Sequence, residues 1–319
     1  MKEINDKPVL VICGPTASGK TRVGIEVAKI LRGEIISADA RQFYQLMDIG
    51  TAKPTLAERA EVPHHLVDFA DINSQISAND FREMALELIE QIYSRENVPM
   101  IVGGSGMYIR ALEEGFFEGP KANHKFRRML EYKIEKEGIE KFHKRLQKVD
   151  PETAERLSPR DKSRIIRALE VYQETGKSIT ELQRENPKPR TEYTFIKAGL
   201  KWPRELLYHR INRRVQDMVN AGLVDEVKRV FDHLQPGASK AHKALGYREF
   251  KKHIDGEIGL EEAIELTRLH TRHYAKRQIT WFRGDPDIKW FSPRKPGIAE
   301  RIAEYFQNRV IKIKKSDNA

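Results

Sequence analysis

The sequence predicts an α/β fold: a parallel-sheet core built around a P-loop, interrupted by a mostly helical insertion. Three observations carry this. The first is Val9-Leu10-Val11-Ile12-Cys13, an apolar run leading into Gly14-Pro15-Thr16-Ala17-Ser18-Gly19-Lys20-Thr21, with helical periodicity from Arg22 to Leu31. The spacing is G-x-x-x-x-G-K-T, and strand, glycine turn and helix follow in the order that a phosphate-cradling loop requires. The second is the recurrence of short apolar runs between helical stretches, as in strands buried on both faces. The third is a change of character between Lys121 and Arg190, where 19 basic and 12 acidic residues crowd among helix formers. The expected division is 1–120 with 191–319 as the core, and 121–190 as the insertion.

Taken in order, Gly33 to Asp39 reads as a second strand ending in an acid. Asp48 to Pro54, punctuated by glycine and proline, is a polar loop. His64 to Asp68 reads as a third short strand. Its two adjacent histidines point to opposite sides of an extended segment and do not suit one metal. Ser77 starts a helix whose Phe81, Met84, Ala85, Leu88, Ile89 and Ile92 form one apolar, core-facing stripe. Val98 to Val102 is a buried strand ending in Gly103-Gly104-Ser105-Gly106. In the insertion, Asp150-Pro151 and Ser158-Pro159 look like helix starts, with proline in the first helical position; Gly176 closes a helix and Asn186 to Arg190 is a linker. Tyr193 to Leu200 returns to strand. Trp202-Pro203-Arg204 opens a long helix that stops near Gly222, and a last basic helix runs from Thr267 to Phe282. Lys312, Lys314 and Lys315 form a solvated basic tail.

Composition narrows the function. The 319 residues are 39% hydrophobic, enough for a packed core. No apolar run approaches the roughly 20 residues that span a bilayer, and Met1 to Asp6 lacks the apolar stretch of a secretion signal. The single cysteine, Cys13, excludes an internal disulfide and a zinc cluster, so a reducing, cytoplasmic setting is expected. The net charge of +10 favours a polyanionic partner.

Certain residues carry candidate chemistry. Gly14 and Gly19 let the backbone curl around an anion, Lys20 adds a full charge, and the Thr21 hydroxyl can hold Mg²⁺. Asp39, at the carboxyl end of a parallel strand, either faces the phosphate loop or serves as a turn aspartate. The strand ending in Gly103 offers no acid where nucleotide-hydrolysing P-loop proteins keep a metal-binding aspartate, which argues against a motor. Arg210 and Arg214 share a helix face, directed at a phosphate-rich ligand or bonded to nearby acids such as Asp217. Arg268, Arg272 and Lys276 form a positive stripe, with Arg277, Gln278, Trp281 and Arg283 beyond it, an interleaving that suits RNA. On the P-loop alone a small-molecule kinase fits; on charge alone a non-catalytic RNA-binding protein does.

The set as a whole resembles the tRNA dimethylallyltransferase family. The likeness runs through Gly14 to Thr21, Ser37-Ala38-Asp39, Met47 to Pro54, His65 to Asp68, Val102 to Tyr108, Arg167 to Val171, Ala244 to Arg248 and Ala275 to Arg283, in order over nearly the whole chain. It implies transfer of a dimethylallyl group from dimethylallyl diphosphate to N6 of adenosine-37, 3′ of the anticodon, with Mg²⁺ as cofactor and the tRNA anticodon stem-loop as partner. By that likeness Asp39 is the general base, Ser105 stands beside the bridging oxygen where the family often has threonine, and Arg214 holds the diphosphate with residues 14–21. Asp39, Ala40, Arg41, Gln42, Ser105, Arg127, Ser163, Arg164, Arg167, Lys276, Arg277, Gln278, Trp281 and Arg283 are the implied tRNA contacts. The eukaryotic members carry a zinc finger that one cysteine cannot build, so the chain looks like the bacterial form. A monomer is expected.

Overall fold

Residues 7–115, 119–120, 122–186, 191–235 and 243–317 are described by a computed structural model. The chain divides into two units, Met1–Glu113 with Thr191–Ala319, and Glu114–Arg190.

In the first unit, β1 (Lys7–Cys13) has Val9 to Ile12 wholly buried. An apolar strand of this kind needs cover on both faces, which flanking helices supply. Gly19, at φ 89°, turns the chain into α1 (Lys20–Leu31), a conformation that costs glycine little. β2 (Gly33–Ala38), α2 (Leu56–Glu61), β3 (His64–His65), α3 (Ala78–Ser94), β4 (Val98–Gly103) and α4 (Gly106–Glu114) follow. Thr55 with Glu58, and Ser77 with Asp80, form capping boxes at the starts of α2 and α3. Of the expected α3 stripe, Phe81, Ala85, Ile89 and Ile92 are wholly buried, while Met84 and Leu88, at its margins, are half-buried.

The second unit contains α5 (His124–Glu137), α6 (Ile139–Val149), α7 (Pro151–Arg156), α8 (Lys162–Thr175) and α9 (Ile179–Glu185). Leu130, Ile134, Phe142, Leu146, Ile165, Ile166 and Leu169 form its own core. Asp150 caps α7 with Pro151 in the first turn. The second proline signal is displaced: Pro159 lies in a turn, and Asp161 caps α8.

The first unit resumes with β5 (Tyr193–Leu200), α10 (Arg204–Asn220), α11 (Leu223–His233), α12 (Tyr247–Ile254), α13 (Leu260–Arg283), β6 (Lys289–Phe291) and α14 (Ile298–Asp317). Among the described residues six strands form one sheet, ordered β3-β2-β4-β1-β5-β6, with every neighbour parallel. The carboxyl ends of β1, β2, β4 and β5 therefore open on one edge, where α/β sheets bind ligands.

Three expectations are corrected. The third strand is only two residues long, because Leu66 and Asp68 have φ of 55° and 59° and leave the extended region. The basic helix starts at Leu260, not Thr267; Glu261 and Glu262 in its first turn and buried Ala263 and Ile264 support the earlier turns. The basic tail belongs to α14, held by Ile313 at 8% exposure. Lys121 and the linker from Pro187 to Arg190 lie outside the described residues. No described helix is long and apolar enough to cross a membrane.

Candidate active site

The loop after β1 is fastened from outside as well as by its own sequence. Ala17 adopts φ 61° between the two glycines, which helps turn backbone N–H groups inward. Lys20 Nζ donates to Pro15 O at 2.8 Å. Gln278, 6% exposed on α13, accepts from Thr16 N–H through Oε1 and donates through Nε2 to Gly104 O, both at 2.8 Å. One amide thus ties the phosphate loop to the end of β4. Ser18 is 1% exposed, and its Oγ has no hydrogen-bond partner among the described residues.

Asp39 follows β2 directly. Its Oδ1 accepts from Arg41 N–H at 3.0 Å, the turn expected of an aspartate here. Ser105 stitches the two strand ends together, its N–H donating to Ala38 O and its Oγ accepting from Ala40 N–H, each at 3.1 Å. The hydroxyl proton is left to donate elsewhere. Asp39 is both a turn former and a cavity residue, because among the described residues the turn leaves its second oxygen unspent.

A cavity of about 130 Å³ brings the chemistry together: Thr16, Lys20, Thr21, Asp39, Arg214 and Tyr274 all line it. Ile35, Pro54 and Val102 give it an apolar part. Burial pushes the Lys20 ammonium down to about 8, opposed by the Asp39 carboxylate and assisted by Arg214. Burial also lowers Arg214, again against Asp39. Burial raises the Tyr274 phenol to about 12, so it keeps its proton at neutral pH. Two cations and one carboxylate thus share a desolvated cleft where their charges act strongly.

The loop from Asp48 to Pro54 forms another wall and is pinned by buried groups. Glu226 on α11, 1% exposed, accepts from the N–H groups of Asp48, Ile49 and Gly50 at 3.0, 2.7 and 2.9 Å, and from the Tyr247 hydroxyl at 2.6 Å. Lys53, 7% exposed, bonds Tyr44 O and pairs with Asp48 and Asp68. Gln42 donates to Thr51 O and Ala52 O. The Arg214 guanidinium also donates to Thr51 O, at 3.4 Å. Gln42 is therefore as much a brace as a ligand contact.

The arginines separate into distinct jobs. Arg210 donates to Ala17 O at 2.8 Å and lies over the Trp202 ring, while Asp217 pairs with Arg213 instead. The positive stripe on α13 is corrected at its first half. Arg268 bonds Glu265 on its own helix and Gln216 on α10, and Arg272 bonds Asn212 on α10, so both tie α13 to α10. Lys276, Arg277 and Arg283 remain exposed outside the Asp39 cavity. Trp281 is 41% exposed and rests against Gly106, where any Cβ would come within 2.3 Å of the ring. In the second unit Arg127 and Arg167 both hold the buried Glu170 carboxylate, at 2.7 and 2.6 Å. Burial raises that carboxyl, but the two guanidiniums and the Asn123 N–H outweigh it and hold it low. Ser163 and Arg164 lie in the first turn of α8, with Arg164 paired to Asp161.

Three site residues escaped sequence reasoning. Tyr274 stands four before Gln278 on α13, a spacing that would have placed both on one face. His64 lines the cavity with Nδ1 near Val62 O and Nε2 without a hydrogen-bond partner among the described residues. Glu226 gave no signal, because its significance lies wholly in the loop it meets.

Known proteins match this architecture along most of its length. The family profile described as IPP transferase covers residues 42–285. The tRNA dimethylallyltransferase of Geobacter metallireducens is 44% identical over 290 residues, 91% of this chain and 94% of that protein. That of Chlorobaculum parvum is 45% identical over 293 residues, 90% and 93% of the two chains. A full-length tRNA isopentenylpyrophosphate transferase from Bacillus halodurans superposes with TM-score 0.72 at 37% identity, covering 98% of this chain and all of that one. A eukaryotic dimethylallyltransferase described as acting on tRNA gives TM-score 0.79 at 28% identity, over 96% and 80% of the chains. The chain belongs to the IPP transferase family.

Proposed function

We propose that this chain transfers the dimethylallyl group of dimethylallyl diphosphate to N6 of adenosine-37, 3′ of the anticodon, in tRNA. The observation that carries the reading is the placement of one carboxylate, Asp39, in the same cleft as the Lys20 and Arg214 cations of a phosphate loop. In the transfer the allylic C–O bond breaks, the N6–C bond forms, diphosphate leaves and the N6 proton passes to Asp39. An exocyclic amine is barely basic, so a carboxylate that takes its proton as the bond forms lowers the barrier. Lys20, Arg214 and the loop amides neutralise the departing charge. The protonated Tyr274 supplies a hydroxyl donor in the cleft, and Ser105, bonded to Ala38 and Ala40 on either side of Asp39, is assigned to the bridging oxygen. Ile35, Pro54 and Val102 offer the apolar side on which a five-carbon chain can rest. Adenine reaches the cleft only by leaving the anticodon-loop stack; Ala40, Arg41, Gln42, Arg127, Ser163, Arg164, Arg167, Lys276, Arg277, Trp281 and Arg283 are assigned to the RNA, whereas Gln278, expected among them, is buried with its amide spent on Thr16 and Gly104.

The donor set fits Mg²⁺. Thr21 lines the cavity beside Lys20, and its hydroxyl is the protein oxygen that would hold the ion. One or two protein oxygens completed by phosphate oxygens is the coordination Mg²⁺ prefers, and the ion would add positive charge at the diphosphate. A single chain working in the cytoplasm is the setting this reading expects.

The test is incubation with Mg²⁺, dimethylallyl diphosphate and unmodified tRNA, followed by nucleoside analysis. N6-dimethylallyladenosine is the expected product. A folded protein that leaves adenosine unmodified, or that phosphorylates a small molecule from ATP, contradicts the reading.

A further inference from the structure

A second cavity, of about 260 Å³, opens beside Pro15. Lys201, Arg204, Lys276 and Arg283 line it together with Trp202 and Tyr208, and none of its lining residues is acidic. Among the described residues none of the four cations has a salt bridge, although ion pairs are frequent elsewhere on the chain. Like charges gathered without counter-charge repel each other, and an anion relieves that cost. The wall is built rather than incidental. Trp202 Nε1 donates to Ser18 O at 2.9 Å, and the Arg210 guanidinium covers its ring, so the cavity is fixed to the phosphate loop. Arg204 stacks on Tyr208 and donates to its hydroxyl through Nε at 3.1 Å, which orients the guanidinium and, among the described residues, leaves its terminal N–H groups unspent.

We propose that this cavity holds backbone phosphate of the RNA substrate, with Lys201 and Arg204 as phosphate contacts. The inference rests on the reading of the chain as a tRNA-modifying enzyme and extends its RNA surface to the start of α10. Continuity favours a strand of RNA over a small free anion. Lys276 and Thr280 also line a neighbouring groove with Arg277 and Trp281, so the positive wall runs on along α13 with an aromatic ring at its far end. A chain of phosphates with a splayed base matches that succession.

The experiment measures binding of an anticodon stem-loop RNA, and half-saturation for RNA and for dimethylallyl diphosphate, in Lys201→Glu/Arg204→Glu. RNA affinity is expected to fall on the order of tenfold, and the slope of log affinity against log salt to flatten by about 1.4, near 0.7 for each single-strand phosphate lost. Lys201→Ala alone, which keeps the Arg204–Tyr208 contact, is expected to lose about half that slope and serves if the double variant does not fold. Half-saturation for the diphosphate is expected to move less than twofold. Unchanged RNA affinity, an equal loss in Lys228→Glu/Arg229→Glu on α11, or a shift confined to the diphosphate each overturn the proposal. Transfer by the unaltered enzyme with no RNA defect in the variants sinks this site alone; RNA binding without transfer sinks the proposed reaction and leaves the site standing.

Discussion

Glu226→Gln probes how the catalytic wall is held. The Glu226 carboxylate is 1% exposed and receives four donors, three backbone N–H groups and a phenol, at 2.6–3.0 Å. The amide keeps one acceptor oxygen and turns an NH₂ toward groups that are themselves donors. At least one buried N–H is orphaned, at about 1–3 kcal/mol, and loss of the charge weakens the other bonds. For a domain of this size each kcal/mol lowers Tm by about 2–4 °C, so the orphaned donor alone is expected to lower Tm by roughly 5 °C or more. The chemical consequence follows from Thr51, whose carbonyl receives Arg214. When the Asp48–Thr51 turn relaxes, Arg214 loses its anchor, and half-saturation for dimethylallyl diphosphate should rise about tenfold while RNA affinity changes little. The assay pairs thermal melting with steady-state transfer in both substrates. A Tm within 1–2 °C of the unaltered protein would show that the loop does not depend on Glu226, and the reasoning would fail.

Further predictions follow from the same geometry. Gln278→Ala frees Thr16 N–H and Gly104 O, and is expected to raise half-saturation for the diphosphate by about tenfold, one to two kcal/mol of lost positioning; equal kinetics refute the clamp. Burial pushes the Lys20 ammonium down to about 8, and only the charged form attracts the diphosphate. The kcat/KM for the donor should therefore fall as pH rises through 8, and a flat profile from pH 7 to 9.5 refutes that role. Glu34, 3% exposed, is held down to about 2 chiefly by the Arg95 guanidinium, against burial and with help from Asn97 and His65. Its folded pKa lies below the ordinary value, so its stabilisation is complete above about pH 4.5 and disappears as pH falls toward 2, about 3 kcal/mol at most. Glu34→Gln should remove that part of the acid-unfolding slope; an unaltered slope contradicts the assignment.

What was legible in the sequence is what short-range physics determines. The P-loop, the buried strands and the α3 stripe depend on neighbours within a turn or two of chain, and they stand as expected. Asp150-Pro151 reads correctly because a cap and the following proline are one local device, whereas Pro159 misleads because Asp161 offers the better cap. Features that depend on distant partners were not legible. Arg268 and Arg272 read as a nucleic-acid stripe by spacing, yet Gln216 and Asn212 on α10 receive them. Arg127 and Arg167 carry positive charge in any sequence reading, and only the fold shows both on Glu170. Glu226 is one acid among 47 Asp and Glu residues until Asp48 to Gly50 fold onto it.

The most direct test of the account is Asp39→Ala, read by single-turnover transfer and by equilibrium RNA binding on the same preparation. The expected result is a transfer rate lower by about 10²–10⁴-fold, the usual share of a general base, with RNA affinity retained within a few-fold. A rate within threefold of the unaltered enzyme would mean that this carboxylate does not take the proton from N6.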